Sequence, residues 1–494
     1  MTPAFDQQLA AAQAAPDLER VRALGLRALE ERREEDAVAL VAQAAERAPG
    51  DAVLLHILGL HHRAAGDLAP AIAAFDRALA LTPDSPRLLH ARARAAFEAG
   101  LPSLDWFART RQAAPSDGDV ILGHAAAMLG EGKAAEADSL LATMLREHPG
   151  WMPGHAALVR LRYAAGDIGQ HLAELDRAIA GAPGDPRLHH LKIMVLHRAG
   201  LGQPALAAFA ATDGQFDEVP EMRAAAAIVA TEYGALRAAD TAFETVDPFS
   251  EPDLAAHWLR HLLRRGEPER VSALADAVPP AAAGVIWPYL SIAWRLTGDP
   301  RAAWLDRDEF VKTVDFDDLA IAPLADRLRS LHVARHQPLD QSVRGGTQTD
   351  GPLLSRLDSE LRDIRARLAQ AVSDYAAALP APDPAHPLLG RVPRHPRFVG
   401  SWSVRLTGGG FHEPHIHTEG WLSSAFYVAL PQAGEPGAGW LTLGEPQASL
   451  GLGLPPVRTV EPRPGRLVLF PSTLWHGTRR FDAGERLTIA FDIA

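Results

Sequence analysis

The chain has 494 residues, which is too long for a single hydrophobic core and predicts two or three domains. Its 47% hydrophobic and 22% charged residues are typical of globular protein and exclude wholesale disorder. The net charge of −12 argues against a partner that is nucleic acid or an anionic membrane surface.

Cysteine is absent, which excludes disulfides, thiolate catalysis, iron–sulfur clusters and cysteine zinc sites. Any metal must therefore be held by His, Asp or Glu. The start, Met1 to Asp6, has no basic or apolar signal pattern, and no run of about eighteen apolar residues predicts a membrane helix. We expect a cytoplasmic protein without membrane or nucleic-acid partners.

Regular turns punctuate the first three hundred residues. Prolines and glycines recur in steps of 32 or 34 residues, the prolines at 49, 83, 115, 149 and 183, and the glycines at 66, 100, 132, 166, 200, 234, 266 and 298. This spacing predicts units of two short helices, with a glycine turn inside each unit and a proline turn closing it.

The residues within a unit agree with this pattern. The segment from Asp51 to Pro83 places small residues where paired helices must approach closely, and larger apolar residues fill the gaps, at Leu58, Gly59, Ala71, Ala74, Phe75 and Ala78. About residues 17–300 resemble the tetratricopeptide family. The resemblance implies a stacked array whose groove binds a peptide or protein partner; a rigid spacer or a dimerisation arm is the alternative.

A lead-in follows the array. Residues 301–316 are charged and no longer fit the repeat, and the pattern over residues 317–335 predicts a helix. The glycine-rich segment 336–351 is interpreted as a surface loop or as a segment lining the mouth of a pocket. Apolar residues at helical spacing predict a helix over 353–379, and the proline-rich stretch 380–396 predicts an extended connector.

From Phe398 onward the apolar pattern changes to alternation, with short strands and Gly/Pro turns. The predicted strands cover residues 399–407, 413–418, 422–430, 439–443, 465–471, 474–479 and 485–493. Such strands indicate a double-stranded β-helix, or jelly roll, and the lack of β–α alternation argues against a Rossmann-like sheet.

Histidines mark a candidate metal site in this sheet. His415 and His417 point to one face because residues two apart on a strand share a face. His476 opens a later strand, which a jelly roll can return to the same end. Imidazole suits iron, zinc, copper and nickel, so the ligand type alone leaves the metal open.

The last strand carries a candidate anion site. Arg486 shares one face with Thr488, Ala490 and Asp492, while the other face is entirely apolar. The apolar face belongs against the core, and an arginine on the opposite face can bind a carboxylate bidentately.

Residues 339–351 and 398–494 resemble a bacterial 2-oxoglutarate/Fe(II) oxygenase family that often carries tetratricopeptide repeats. The resemblance rests on the segments 400–405, 412–417, 420–428, 464–472 and 476–486. It implies Fe(II), 2-oxoglutarate and dioxygen as cofactor and cosubstrates, and a role for Arg486 in holding the distal carboxylate of the keto acid.

The chain departs from the wider superfamily at one ligand. The usual set is two histidines and one carboxylate, but His417 stands at the carboxylate position. Three interpretations remain: a three-histidine centre of His415, His417 and His476, recruitment of Glu419 or Glu413, or loss of iron. We favour the three histidines.

Other residues have weaker assignments. Tyr427 could hydrogen-bond the cosubstrate carboxylate beside Arg486, or could be a core tyrosine. His412 lies on the opposite face from His415 and is expected beside the ligands or facing substrate. Arg405 and Trp402 either line the pocket or serve surface and packing roles.

The sequence thus predicts a helical repeat array over 1–300, a helical and proline-rich lead-in over 301–397, and a jelly-roll oxygenase core over 398–494. The expected function is hydroxylation of a peptide or protein docked by the array. The alternatives are a three-histidine cupin-type dioxygenase that needs no 2-oxoglutarate, and a non-catalytic repeat scaffold with a degenerate barrel.

Overall fold

The structure is a computed structural model that describes residues 4–167, 169–277, 282–339, 341–431 and 435–494. The chain divides into two compact units. The first comprises Met1–Leu141 with Asp350–Leu368, and the second comprises Ala142–Thr349 with Ala369–Ala494. The predicted domain limits at 300 and 397 stay predictions.

Helices dominate the part before residue 310. They are α1 Phe5–Ala14, α2 Leu18–Glu30, α3 Glu34–Arg47, α4 Ala52–Ala64, α5 Leu68–Leu81, α6 Pro86–Glu98, α7 Leu104–Ala113, α8 Gly118–Gly130, α9 Ala134–Glu147, α10 Met152–Ala164, α11 Ala173–Gly181, α12 Pro186–Arg198, α13 Gly202–Ala210, α14 Pro220–Tyr233, α15 Leu236–Phe243, α16 Pro252–Arg264, α17 Pro268–Ser272, α18 Ala283–Thr297 and α19 Arg301–Leu305. Two further helices, α20 Ile321–Leu331 and α21 Ser359–Ala377, lie in the lead-in.

The predicted repeat is confirmed by the helix boundaries. The first helices of successive pairs, α4, α6, α8, α10, α12, α14 and α16, begin at residues 52, 86, 118, 152, 186, 220 and 252, in steps of 32 or 34. Turn glycines such as Gly66 (φ 73°) and Gly166 (φ 85°) adopt the left-handed conformation that ends a helix. Gly234 departs from this, since its φ is −91°.

Close helix packing explains the small residues inside the repeats. A Cβ on Gly59 of α4 would lie 2.4 Å from the ring of Phe75 in α5. Gly123 of α8 bears the same relation to Phe107 of α7, at 2.3 Å. Phe75 and Phe107 are both fully buried. Glycine therefore lets a phenylalanine of a neighbouring helix reach the helix backbone.

The described residues place nine strands in one antiparallel sheet. They are β1 Lys312–Asp315, β2 Val343–Gln348, β3 Phe398–His415, β4 Leu422–Ala429, β5 Leu441–Leu443, β6 Arg458–Val460, β7 Arg466–Pro471, β8 His476–Thr478 and β9 Glu485–Ile493. Their order is β1-β7-β4-β9-β3-β8-β5-β6, and β2 pairs with β3. The curled sheet confirms the predicted jelly-roll class.

Strand β3 joins two parts of this sheet. Its first half pairs with β9 up to Thr407, and its second half pairs with β8 from His412 onward. Glycines at 408–410 separate the halves, and Gly409 has a φ of 81°. The first half of the segment predicted as a separate strand over 413–418 is therefore the end of β3, which stops at His415, and His417 lies beyond the strand.

The glycine-rich segment predicted as a loop contains strand β2. Its pattern is unlike a strand because Gly345 has a φ of 68° and the register shifts between Arg344 and Gly346. A Cβ on Gly346 would lie 2.4 Å from the carbonyl oxygen of Arg405, so a side chain cannot fit there. Strands β1 and β6 were not predicted, and β1 is a charged four-residue strand whose Asp315 pairs with Arg466.

Two further features complete the fold. In the sheet, Tyr427, Val468 and Phe470 belong to a buried apolar cluster that also includes Leu441 and Leu443. None of the described helices combines the length and apolar character needed to span a bilayer.

Candidate metal centre

Three imidazoles converge at the end of β3. One ligand atom from each of His415, His417 and His476 lies within 4.8 Å of the others. His415 and His476 are direct partners across β3 and β8, with ring centroids 4.2 Å apart. The ring centroid of His417 lies 5.1 Å from that of His415 and 5.0 Å from that of His476.

Local hydrogen bonds orient two of these rings. Nδ1 of His415 donates to the carbonyl of Glu413 at 2.8 Å, and Nδ1 of His476 donates to the carbonyl of Leu474 at 3.0 Å. In each case the acceptor lies two residues earlier. With Nδ1 protonated, Nε2 keeps its lone pair and can bind a metal.

The third ring is oriented by an acid. Nδ1 of His417 lies 2.6 Å from both carboxylate oxygens of Asp492 on β9. Nε2 of His417 is thereby also left as a lone-pair donor. The three nitrogens form an all-imidazole donor set, which fits a divalent transition metal such as Fe(II).

Burial keeps His415 and His476 neutral. Desolvation, with the neighbouring His417, lowers the pKa of His415 to about 3, and burial lowers the pKa of His476 well below its usual value. Protons therefore do not compete with a metal for these two imidazoles at neutral pH.

A second polar pair is buried in the sheet. Arg486 is 2% exposed, its Nε donates to the carbonyl of Gly439, and its guanidinium lies 5.0 Å from the ring centroid of Tyr427. The Tyr427 hydroxyl is buried and has no hydrogen-bond partner among the described residues. Burial raises the pKa of Tyr427, so the hydroxyl keeps its proton. A buried cation beside an unpaired donor fits a carboxylate.

Two other predicted residues lie beside the cluster. The ring of His412 stacks on that of His415 at 5.7 Å, and its Nδ1 lies 3.0 Å from Oγ of Ser342. The same Ser342 oxygen lies 3.3 Å from Nε2 of His415. The ring centroid of Trp402 lies 5.6 Å from that of His417, so this tryptophan borders the cluster.

The remaining candidates lie apart from the imidazoles. Glu419 is exposed, and neither it nor Glu413 belongs to the cluster of potential ligands found among the described residues. Arg405 is 38% exposed and pairs with Glu485 at 2.6 Å, and Arg329 binds the same carboxylate.

Helix α18 supports both histidine segments from outside the sheet. A Cβ on Gly284 would lie 2.0 Å from the carbonyl oxygen of Thr418, which follows His417. The indole of Trp475, which precedes His476, donates from Nε1 to the carbonyl of Pro288 at 3.1 Å. The backbone next to two of the three imidazoles is therefore fixed by one helix of the array.

Three of these contributors are not identified by sequence reasoning. For Asp492 the sequence predicts only that it shares a strand face with Arg486. That shared face is the one sequence signal that could have identified Asp492 as part of the site. Ser342 lies in the segment 336–351, which the sequence leaves open as a surface loop or as a segment lining the mouth of a pocket. Gly284 contacts Thr418, which lies 134 positions later in the chain. The sequence around Gly284 contains no recognisable motif, so no local pattern could have predicted this contact.

Comparisons with known proteins found one family that matches the C-terminal sheet and solved structures that are similar to part of the chain. Residues 400–492 match the family described as "Putative 2OG-Fe(II) oxygenase". No protein among the curated sequences is significantly similar to this chain.

Solved structures similar to this chain include two that are described as TPR proteins, YrrB and TTC0263, and also MamA. YrrB, described as a TPR protein with an unusual peptide-binding site, is 18% identical over 38% of this chain and 99% of its own, with a TM-score of 0.30. MamA from Desulfovibrio magneticus RS-1 is 17% identical over 33% of this chain and 93% of its own, with a TM-score of 0.30. TTC0263 from Thermus thermophilus is 20% identical over 34% and 94%, with a TM-score of 0.27. The helical part is thus similar to tetratricopeptide proteins, and residues 400–492 are similar to the 2OG-Fe(II) oxygenase family.

Proposed function

We propose that the chain is an Fe(II)- and 2-oxoglutarate-dependent oxygenase that hydroxylates a peptide or protein substrate. The observation that carries this proposal is the pairing of two features in one sheet. Three imidazoles place their ligand atoms within 4.8 Å of one another, and the buried Arg486 guanidinium lies beside Tyr427, whose buried hydroxyl has no hydrogen-bond partner among the described residues.

Each residue has a distinct part in this proposal. His415, His417 and His476 hold the metal, and Arg486 binds the distal carboxylate of the keto acid with help from the Tyr427 hydroxyl. With Fe(II), 2-oxoglutarate and dioxygen bound, such a site supplies hydroxylation of a C–H bond, coupled to conversion of the keto acid to succinate and carbon dioxide. Apolar neighbours such as Phe470, whose ring lies 4.8 Å from that of His476, exclude water.

A three-histidine ligand set by itself also suits a dioxygenase that needs no keto acid. The buried guanidinium favours the keto-acid enzyme, because Arg486 has no acidic partner among the described residues and a buried cation is costly unless an anion binds there. Succinate formation that requires Fe(II) separates the two functions. Product formation without 2-oxoglutarate would favour the alternative.

Contacts within the second unit support a role for the helices in positioning. Trp475 packs into a buried cluster with Tyr289 and Ile286 of α18 and Leu259 of α16. Substrate bound on helices that also fix the histidine segments would be held in a constant relation to the metal. Binding energy remote from the chemistry can then serve orientation.

A substrate search tests the proposal. The full chain is incubated with Fe(II), 2-oxoglutarate, dioxygen and a mixture of cellular peptides and proteins, and succinate and single-oxygen mass gains are measured together. We expect both signals, and we expect both to vanish in His476→Ala. Succinate without any protein or peptide product would contradict the substrate class, and absence of succinate would contradict the oxygenase itself.

A further inference from the structure

The three imidazoles are not held in the same way. His415 and His476 each donate Nδ1–H to a neutral backbone carbonyl two residues earlier. His417 instead donates to the carboxylate of Asp492, 75 residues later in the chain, at 2.6 Å. His417 stands at the position where the superfamily usually has a carboxylate ligand. It is also the one histidine of the three whose Nδ1 is hydrogen-bonded to a carboxylate.

We propose that Asp492 is a positioning residue of the metal centre, which fixes His417 and supplies through it the negative charge that a directly bound carboxylate would otherwise provide. This inference rests on the proposed function, because it requires that the three histidines bind a metal. It concerns how the three-histidine set is completed.

The carboxylate is itself fixed in place. Ser423, which faces Asp492 across β4 and β9, donates from Oγ to Oδ1 at 2.7 Å. Oγ of Ser423 also lies 2.9 Å from Oγ of the fully buried Ser472, whose carbonyl accepts from the backbone N–H of His417 at 3.2 Å. A Cβ on Gly420 would lie 2.5 Å from that Ser472 hydroxyl. The network therefore allows little freedom to the acid or the ring.

Burial makes the charge effective. The side chain of Asp492 is 14% exposed and that of His417 is 18% exposed, so water screens their interaction only weakly. A carboxylate on Nδ1 fixes the tautomer with Nε2 free and makes the imidazole a stronger electron donor. Three imidazole ligands carry no negative charge, so they leave the charge of a divalent metal uncompensated. Asp492 does not bind the metal itself, but its hydrogen bond to His417 brings a negative charge close enough to offset part of the metal's charge.

Metal titration of the full chain tests the assignment. Apo-protein is titrated anaerobically with Fe(II), first alone and then in the presence of 2-oxoglutarate, and separately with Co(II), for wild type, Asp492→Asn, Asp492→Glu and the control Asp482→Asn. Asp482 is an exposed acid in the turn between β8 and β9. Asparagine keeps the size of the side chain and removes its charge, so melting of the apo-proteins separates lost folding from lost metal binding.

We expect Asp492→Asn to weaken metal binding by roughly 10- to 100-fold, the range typical of such partners. Asp492→Glu should recover part of this loss, and Asp482→Asn should equal wild type. The absorption band of the Fe(II)–2-oxoglutarate chelate should shift to higher energy in Asp492→Asn, because the metal loses electron density, and a purely structural role would leave that band in place.

The outcomes separate this inference from the proposed function. Tight metal binding by wild type with equal affinity and an equal band in Asp492→Asn would overturn the role of Asp492 and leave the oxygenase standing. No metal binding by well-folded wild type would overturn both. A weakened affinity and a shifted band, with unchanged apo melting, would support the inference.

Discussion

The helical array and the C-terminal sheet differ in whether their stabilising contacts are repeated along the chain. In the array one arrangement recurs from unit to unit, so a left-handed glycine such as Gly66 or Gly166 ends most of the first helices at a regular spacing, with Gly234 as an exception. In the sheet each important contact occurs once, as between His417 and Asp492. A defect in the array should therefore stay local, whereas a defect at the histidine cluster should remove a function.

The largest expected effect is at the cluster. His415→Ala removes one of three ligands and should weaken Fe(II) binding by more than about 100-fold, beyond the loss typical of residues that only support ligands. His412→Ala is the matched control, since His412 stacks on His415 but lies outside the ligand cluster. Its affinity, measured by anaerobic titration, should stay within a few-fold of wild type. Equal losses in both variants would contradict the assignment of ligands.

Asp306, a half-buried acid outside the cluster, predicts a pH dependence. Burial raises the pKa of Asp306 from 3.8 to about 6, although Ser291 donates a hydrogen bond to it. Since the folded state holds this proton more tightly than the unfolded state, the contribution of Asp306 to stability is most favourable below about pH 4. This contribution falls as the pH rises towards 6. Above about pH 6 the folded protein bears the full cost of an ionised Asp306 carboxylate.

Asp306→Asn should remove this penalty, because the amide oxygen can still accept from Ser291. We expect the variant to exceed wild type by up to about 3 kcal/mol at pH 7 and to match it near pH 4. Urea unfolding at both pH values measures this. Asp308→Asn is the control, because the side chain of Asp308 is 86% exposed. Parallel stability curves for wild type and Asp306→Asn would contradict the prediction.

The helix that contacts the histidine segments gives the next effect. Gly284→Ala places a methyl group 2.0 Å from the carbonyl of Thr418, so backbone must move. Overpacking of this kind costs roughly 1–3 kcal/mol, and metal affinity should fall with it because His417 adjoins Thr418. Gly181→Ala, in α11, adds its methyl to open space and should leave thermal stability and metal affinity unchanged. Loss of stability in Gly284→Ala with unaltered metal affinity would show that α18 does not position the site.

The smallest effect belongs to a single repeat turn. Gly166 has a φ of 85° and open space around its Cβ position, so Gly166→Ala should cost about 1 kcal/mol through backbone strain alone. Metal affinity should not change, because the strain is confined to one turn. Thermal unfolding and metal titration of the same sample measure both quantities. A change in metal affinity would mean that the repeats are coupled to the cluster more tightly than local strain allows.

The repeat array could be predicted from the sequence more completely than the contacts of the sheet. The repeat could be predicted because its turn residues recur. The approach of His415 and His417 was predicted from the alternation of a strand, but β3 ends at His415 and His417 lies beyond it. Strand β2 was missed because Gly345 and Gly346 break the alternation where the backbones approach. Asp492 and Gly284 act across long sequence separations, so their roles depend on tertiary contacts that no local pattern encodes.

The most direct test of the account is an anaerobic titration of apo-protein with Fe(II) and 2-oxoglutarate, followed by the visible charge-transfer band of the chelate. Wild type, Arg486→Ala and the control Arg405→Ala are compared, since Arg405 is an arginine that pairs with Glu485. We predict a band in wild type and Arg405→Ala, and a band in Arg486→Ala only at much higher 2-oxoglutarate concentration. Iron binding without any band in wild type, or an unchanged titration in Arg486→Ala, would contradict the account.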